Sequence, residues 1–173
     1  MTKLAMPKID RKLIAKKADV IANLKKIIKT ENILDHEDEI RPFETDALSA
    51  YKQKPLVVVF PENTREVSKI LAYCNQERIK VVPRGAGTGL SGGALPLEDG
   101  ILLCLSKFNK IINIDYKNRC VVAQTGVTNL SITQAVEHKG FYYAPDPSSQ
   151  IACSIGGNVA ENSGGVHSLK YGT

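Results

Sequence analysis

The sequence is short of several features that would place it in a specialised class of proteins. It has no tryptophan, and its cysteines number only four: Cys74, Cys104, Cys120 and Cys153. None of these cysteines stands in a CxxC pair or beside a cluster of histidines, so we expect neither a metal centre nor a disulfide framework. Reduced, buried thiols are typical of a cytoplasmic protein, and we predict that location.

Long hydrophobic runs are absent as well. The longest uncharged runs, such as 56–60 and 101–105, fall far short of the roughly 20 apolar residues that cross a bilayer. The N-terminal residues show no continuous apolar segment and no small-residue cleavage site, so we expect no secretory signal. The chain nevertheless has 173 residues, 43% of them hydrophobic, which is enough for one globular domain with an appendage.

The net charge of +5 is concentrated at one end of the chain. Residues 1–30 contain nine Lys or Arg against two acidic residues, and the remainder is slightly acidic. Apolar residues recur there at helical spacing, which predicts an amphipathic helix. They are Leu13, Ile14, Val20, Ile21, Leu24, Ile27 and Ile28. We expect this face to dock on the protein, with contact to a membrane surface or an acidic partner as the alternative. Nucleic acid is disfavoured because no basic stripe is interleaved with aromatic residues.

Beyond residue 54 the sequence pattern alternates between strands and helices. Strands are predicted at 56–60, 80–83, 101–105, 111–115 and 119–124, the last two forming a hairpin. Asn63 is predicted to cap a helix, Thr128 begins a second helix that ends at Gly140, and a brief helix covers 155–161. The apolar face of the first helix consists of Val67, Ile70, Leu71 and Cys74. The order strand, helix, strand favours a parallel pair of strands.

These elements predict an α+β (α/β) protein with one small mixed sheet. We expect two parts. Residues 1–50 form a helical arm and a connecting segment, and 31–54 have little regular structure. Residues 51–173 form the main domain.

A glycine-rich loop directly after the second strand is the most informative stretch. It comprises Pro83, Arg84, Gly85, Ala86, Gly87, Thr88, Gly89, Leu90, Ser91 and Gly92, followed by Gly93. Five glycines within nine residues let the backbone adopt positive φ and turn successive N–H groups into one concavity, which suits a diphosphate. A glycine-rich turn required only for tight packing is the structural alternative, although a turn needs one or two glycines.

Two other phosphate-binding loops do not fit this context. Residues 87–92 match GxGxxG, but a Rossmann site requires a helix to begin there, and 95–100 lead into a strand instead. The Gly-Lys-Ser/Thr ending of a P-loop is also missing. We therefore predict an ordered loop without a helix over 84–93.

A second stretch, PDPSSQIACSIGGNVAENSGG at 145–165, concentrates small and hydrogen-bonding residues. Backbone approaches a flat ring closely only where side chains are small, so this stretch is predicted to form a second wall of the same cleft.

At these two motifs the chain resembles the FAD-linked oxidases of the vanillyl-alcohol oxidase and cytokinin-dehydrogenase type. It is most similar to their glycolate oxidase and D-lactate dehydrogenase branch. The likeness runs from about Glu44 to Thr173 and includes GVT at 126–128 and YGT at 171–173. It implies the front part of a two-subdomain flavin-binding domain. It also implies that Arg84 to Gly92 hold the pyrophosphate of FAD.

The resemblance further implies a set of residues beside the adenosine, ribityl or flavin-ring part of FAD. They are Pro145, Asp146, Ser148, Ser149, Ser154, Gly156, Gly157, Asn158, Asn162 and Gly164. Some relatives attach FAD through a histidine, and neither loop contains one, so non-covalent binding is expected.

Relatives of this type continue past the YGT segment into strands that complete the flavin domain and into a substrate-binding domain. We therefore expect no catalytic residues in this chain, and a 2-hydroxy-acid substrate only in a complete protein. Glu161 and His167, the ionisable residues near the second loop, are read as surface or packing residues. A non-catalytic remnant with weak or no flavin binding, or an interaction subunit, is the alternative. A homo-oligomer or a companion subunit is a further expectation.

Overall fold

The structure is a computed structural model that describes residues 7–172. The strands are β1 (Ile33–Leu34), β2 (Val57–Val59), β3 (Lys80–Arg84), β4 (Gly100–Cys104), β5 (Ile111–Asp115) and β6 (Cys120–Ala123). The α-helices are α1 (Arg11–Ala15), α2 (Lys17–Leu24), α3 (Glu37–Ile40), α4 (Thr64–Gln76), α5 (Asn129–Val136), α6 (Ile155–Glu161) and α7 (Ser168–Tyr171). Single 3-10 turns lie at Thr30–Asn32, Arg41–Phe43 and Glu137–Lys139.

Four strands form one mixed sheet in the order β1-β2-β4-β3. Strands β2 and β3 both run parallel to β4, and β1 pairs antiparallel with β2. The predicted mixed α/β class is confirmed. The expected direct pairing of β2 with β3 is wrong, because β4 lies between them. Every residue of β4 is buried, and a wholly apolar strand is most stable with a neighbour on each side.

The hairpin β5–β6 forms a separate two-stranded antiparallel sheet, so the prediction of one sheet is wrong. The chain leaves the main sheet after Leu105, whose N–H still donates to the carbonyl of Arg84. It then turns at Phe108, whose N–H donates to the carbonyl of Leu105 at 3.0 Å. Ile112 and Val122 on the hairpin are 65% and 52% exposed.

The N-terminal helices pack against one face of the main sheet. Val20, Leu24 and Ile28 are buried in one cluster with Val57 and Ile101, which confirms the predicted docking of the apolar stripe. Burial of a side chain such as Leu24 stabilises the fold by roughly 2 kcal/mol. The stripe is divided among α1, α2 and the turn that follows α2 and holds Ile27 and Ile28, whereas one continuous helix was predicted.

Helix α4 begins as its sequence predicts. The side chain of Asn63 accepts a hydrogen bond from the N–H of Glu66 at 3.0 Å, and a carboxylate oxygen of Glu66 accepts from the N–H of Glu62 at 2.7 Å. Ile70 and Cys74 are buried, but Leu71 is 46% exposed, so its assignment to the apolar face is wrong. The face that meets the sheet therefore consists of Ile70 and Cys74 with the partly buried Val67. Within residues 7–172, no helix is both long and apolar enough to cross a membrane.

Candidate functional site

The two motifs, distant in sequence, line one cleft of about 610 Å³ at the carboxyl end of β3. The loop over 84–93 contains no helix, as predicted. Most of the predicted site residues line this cleft. They are Pro83, Arg84, Gly85, Ala86, Gly87, Thr88, Gly89, Leu90, Ser91, Ser148, Ser149, Ser154, Gly156, Gly157 and Asn158.

Five predicted site residues lie outside this lining: Gly92, Pro145, Asp146, Asn162 and Gly164. Asn162 ends α6 in the left-handed conformation, with φ 51°. Asp146 accepts a hydrogen bond from His167, as its Oδ2 lies 2.7 Å from Nδ1 of that ring. These residues shape the segments beside the cleft, and their contact with FAD stays a prediction.

The glycine loop packs so closely that a Cβ atom would collide with a neighbouring side chain at Gly85, Gly87 and Gly89. A Cβ atom at Gly85 would collide with Oγ of Ser154 on the opposite wall. Gly87 has φ +74°, and a Cβ atom there would meet the guanidinium of Arg84. Glycine is therefore required at residue 85 because the two walls of the cleft approach closely there. It is required at residue 87 because the backbone adopts positive φ.

Arg84 ties the glycine loop to residues 43–46 of the preceding segment. Its Nη1 donates to the carbonyl of Thr45 at 2.8 Å, and its guanidinium lies 5.7 Å from the ring centre of Phe43. The buried carboxylate of Asp46 accepts from the N–H of Leu48 at 2.9 Å and from that of Ala94 at 3.3 Å. The segment predicted to be a mere connection therefore fixes both ends of the glycine loop.

The second wall is held by the residues around GVT at 126–128. The N–H of Gly156 donates to the carbonyl of Thr125, and that of Ile155 to the carbonyl of Val127, both at 2.8 Å. Ser154 caps α6 by accepting from the N–H of Gly157 at 3.3 Å. The short motif GVT thus positions the backbone of the cleft wall.

A buried polar cluster anchors this wall from inside. The amide of Asn129, which is fully buried, donates to the carbonyl of Pro145 at 2.7 Å and to Oδ1 of Asn158 at 2.8 Å. The amide of Asn158 in turn lies 3.2 Å from Sγ of Cys153. Buried amides are stable only when paired, so this cluster fixes α5, Pro145 and α6 relative to one another.

The cleft is nearly neutral. Among the described residues that line it, only Arg84 and Glu161 carry a formal charge. Glu161 is exposed, in keeping with the surface position expected from the sequence, and its carboxylate lies against Gly89. His167 is outside the lining. Thr125, which lies outside both motifs, also lines the cleft and was not predicted. Cys153 and Ser163 belong to the stretch 145–165 that was predicted as the second wall, but not to the residues expected beside FAD.

A comparison with known families decides the cofactor. Residues 55–173 match the FAD binding domain family. The chain belongs to this family. FAD is therefore its cofactor, and the resemblance drawn from the two motifs is confirmed.

Individual relatives place the chain within the family. It is 54% identical over 168 residues to "Glycolate oxidase subunit GlcD" of Escherichia coli (strain K12), covering 97% of this chain and 32% of the relative. It is 42% identical over 137 residues to "D-lactate dehydrogenase" of Anaerostipes hadrus, covering 78% and 29%. The chain thus spans about a third of the length of these relatives.

A solved structure agrees in fold. Alkyldihydroxyacetonephosphate synthase superposes with a TM-score of 0.78 at 20% identity, covering 98% of this chain and 32% of that one.

Proposed function

We propose that the chain is the FAD-binding portion of a flavin-dependent 2-hydroxy-acid oxidoreductase of the glycolate oxidase type. The observation that carries this proposal is the convergence of the two motifs on one cleft. The glycine loop supplies backbone donors, and the opposite wall supplies serine hydroxyls and small residues. A volume of about 610 Å³ lies within the range of cofactor sites.

Each wall has a different part in holding FAD. The N–H groups of Gly85 to Gly89 take the diphosphate, since only a glycine backbone allows that approach. Ser148, Ser149 and Ser154 on the facing wall hydrogen-bond the sugar or ring portion. Bound FAD supplies the chemistry of the family, which is acceptance of a hydride from the substrate.

We propose that FAD is held without a covalent bond. No histidine is among the described residues that line the cleft. The one cysteine of the lining, Cys153, is buried, and its sulfur is hydrogen-bonded by Asn158 at 3.2 Å. A thiol engaged in this way is poorly placed to attack a flavin.

We further propose that these 173 residues alone do not turn over 2-hydroxy acids. Removal of a hydride needs a base at the hydroxyl and a cation at the carboxylate. Arg84, the cation of the described lining, is already bound to the carbonyl of Thr45. An anaerobic sample of the FAD-loaded chain with glycolate or D-lactate should therefore show no flavin bleaching above that of free FAD. Faster bleaching would place the catalytic groups within this chain.

Exposed apolar residues support completion by further polypeptide. Ile112, Val122, Val166 and Leu169 are each more than half exposed. Exposed apolar side chains that lie together mark sites of contact with other polypeptide. We propose that polypeptide of the same chain, a second copy or a companion subunit covers them. A division between residues 50 and 51 belongs to the same proposal. So does a cytoplasmic location, which the four free thiols favour, three of them buried and Cys120 exposed.

The location of the cofactor is tested by two matched glycine substitutions. Gly87→Val should weaken FAD binding by about tenfold or more, because valine is strained at φ +74° and would collide with Arg84. Gly140→Val is the control, since Gly140 has φ +75° but no neighbour within 4 Å and lies away from the cleft. Flavin fluorescence titration measures both variants. Equal FAD affinity of the Gly87 variant and the unaltered chain would refute this location.

A further inference from the structure

Glu161 lies beside the second half of the glycine loop, from Gly89 to Gly93, where the stretch assigned to the diphosphate ends. It is the last residue of α6, and a Cβ atom at Gly89 would collide with its carboxylate. A Cβ atom at Gly93 would stand 3.9 Å from its Oε1. A carboxylate at the C-terminal end of a helix interacts unfavourably with the helix dipole, so Glu161 does not stabilise α6.

Glu161 is exposed to solvent, and its carboxylate has no protein partner in the part of the chain that is described. None of the ion pairs within residues 7–172 includes Glu161. Arg84, the other charged residue of the cleft, donates to the carbonyl of Thr45 at 2.8 Å. No neighbouring cation therefore neutralises the charge that Glu161 brings to the cleft.

This placement restricts which chemical group of a ligand can stand beside Glu161. A carboxylate accepts hydrogen bonds and donates none, so an adjacent phosphate would meet repulsion without any hydrogen bond. In FAD, the diphosphate is flanked on one side by the ribose ring and on the other by the open ribityl chain, and both carry hydroxyl groups. Their hydroxyl groups are neutral donors, and a hydroxyl donated to a carboxylate forms one of the stronger hydrogen bonds.

We propose that Glu161 accepts a hydrogen bond from a sugar hydroxyl of the ligand next to its diphosphate and excludes a phosphate group from that position. This inference rests on the proposed function, because it takes the diphosphate to lie at Gly85 to Gly89. Glu161 is thus a specificity-determining residue of the cleft. An acidic residue that reads a ribose hydroxyl has the same chemical role in Rossmann dinucleotide sites.

The test compares three probes: FAD, ADP and inorganic pyrophosphate. Glu161→Ala should weaken FAD binding by about tenfold or more, the loss of one charge-assisted hydrogen bond. Glu161→Gln should give a smaller loss, since an amide oxygen still accepts. Pyrophosphate, which has no hydroxyl, should instead bind either variant more tightly because a repulsive charge has been removed. Glu77→Ala, at an exposed site on the end of α4, is the matched control and should change none of these affinities.

ADP identifies which hydroxyl is bound. Weaker binding of ADP to the Glu161 variants indicates the ribose, and unchanged or tighter binding of ADP together with weaker FAD binding indicates the ribityl group. Either result supports the inference. It is overturned if the Glu161→Ala chain, folded by circular dichroism, binds FAD as tightly as or more tightly than the unaltered chain. If the unaltered chain binds no FAD, the proposed function itself fails, and the inference fails with it.

Discussion

Replacement of the buried Asn129 by alanine tests how the second wall of the cleft is held. This change removes two hydrogen bonds, to the carbonyl of Pro145 at 2.7 Å and to Oδ1 of Asn158 at 2.8 Å. Each bond contributes about 1 kcal/mol, and a buried acceptor left without a donor costs a further 1–3 kcal/mol. Loss of the Asn129 Oδ1 atom, which is itself buried without a partner, offsets part of this cost.

The free energy of unfolding should therefore fall by about 2–4 kcal/mol, or roughly 4–16 °C in Tm for a chain of this size. Urea unfolding followed by far-UV circular dichroism measures the change. Asn118→Ala is the control, because Asn118 is exposed and its side chain bonds to Asp115 within the hairpin turn. The control should lose less than about 1 kcal/mol. Equal losses in the two variants would refute the anchoring role of Asn129.

Two further predictions concern titration and thiol reactivity. The pKa of Glu62 is lowered to about 2, because Lys29 and two other side chains hydrogen-bond its carboxylate. Its contribution to stability is complete above the ordinary pKa of 4.5 and is lost as the pH falls toward 2, so Glu62→Gln should flatten the Tm profile over that range. Among the cysteines, exposed Cys120 should react with a thiol reagent at least about a hundredfold faster than the others. Burial raises the pKa of Cys74 to about 11 and that of Cys104 to about 12, and a uniform rate for all four thiols would contradict this.

Helices and loops could be predicted where the residues that begin and end them lie within a few positions of one another in the sequence. Helix α6 covers the predicted residues, because Ser154 supplies a cap and Asn162 adopts the left-handed end. The loop after β3 is free of helix because 95–100 lead into a strand. The likeness of two long motifs then identified FAD, which periodicity alone would not have named.

Features that depend on contacts between distant segments were not predictable. Strand β1 has only two residues, and it is a strand because Ile33 and Leu34 reach β2. Strand β4 lies between β2 and β3. The sequence of each strand does not show how its burial compares with that of the others. The brace formed by Asp46 behind the glycine loop has no sequence signal, since its partners are backbone N–H groups.

Binding of FAD to the folded chain can be measured through the flavin itself. The purified 173-residue protein is titrated with FAD, and the visible circular dichroism of the flavin in excess of that of free FAD is recorded. This induced signal arises when the ring is held in a fixed asymmetric site. We predict one FAD per chain, with an induced signal that Gly87→Val weakens and Gly140→Val preserves. A chain folded by far-UV circular dichroism that induces no flavin signal at saturating FAD would contradict the proposed cofactor site.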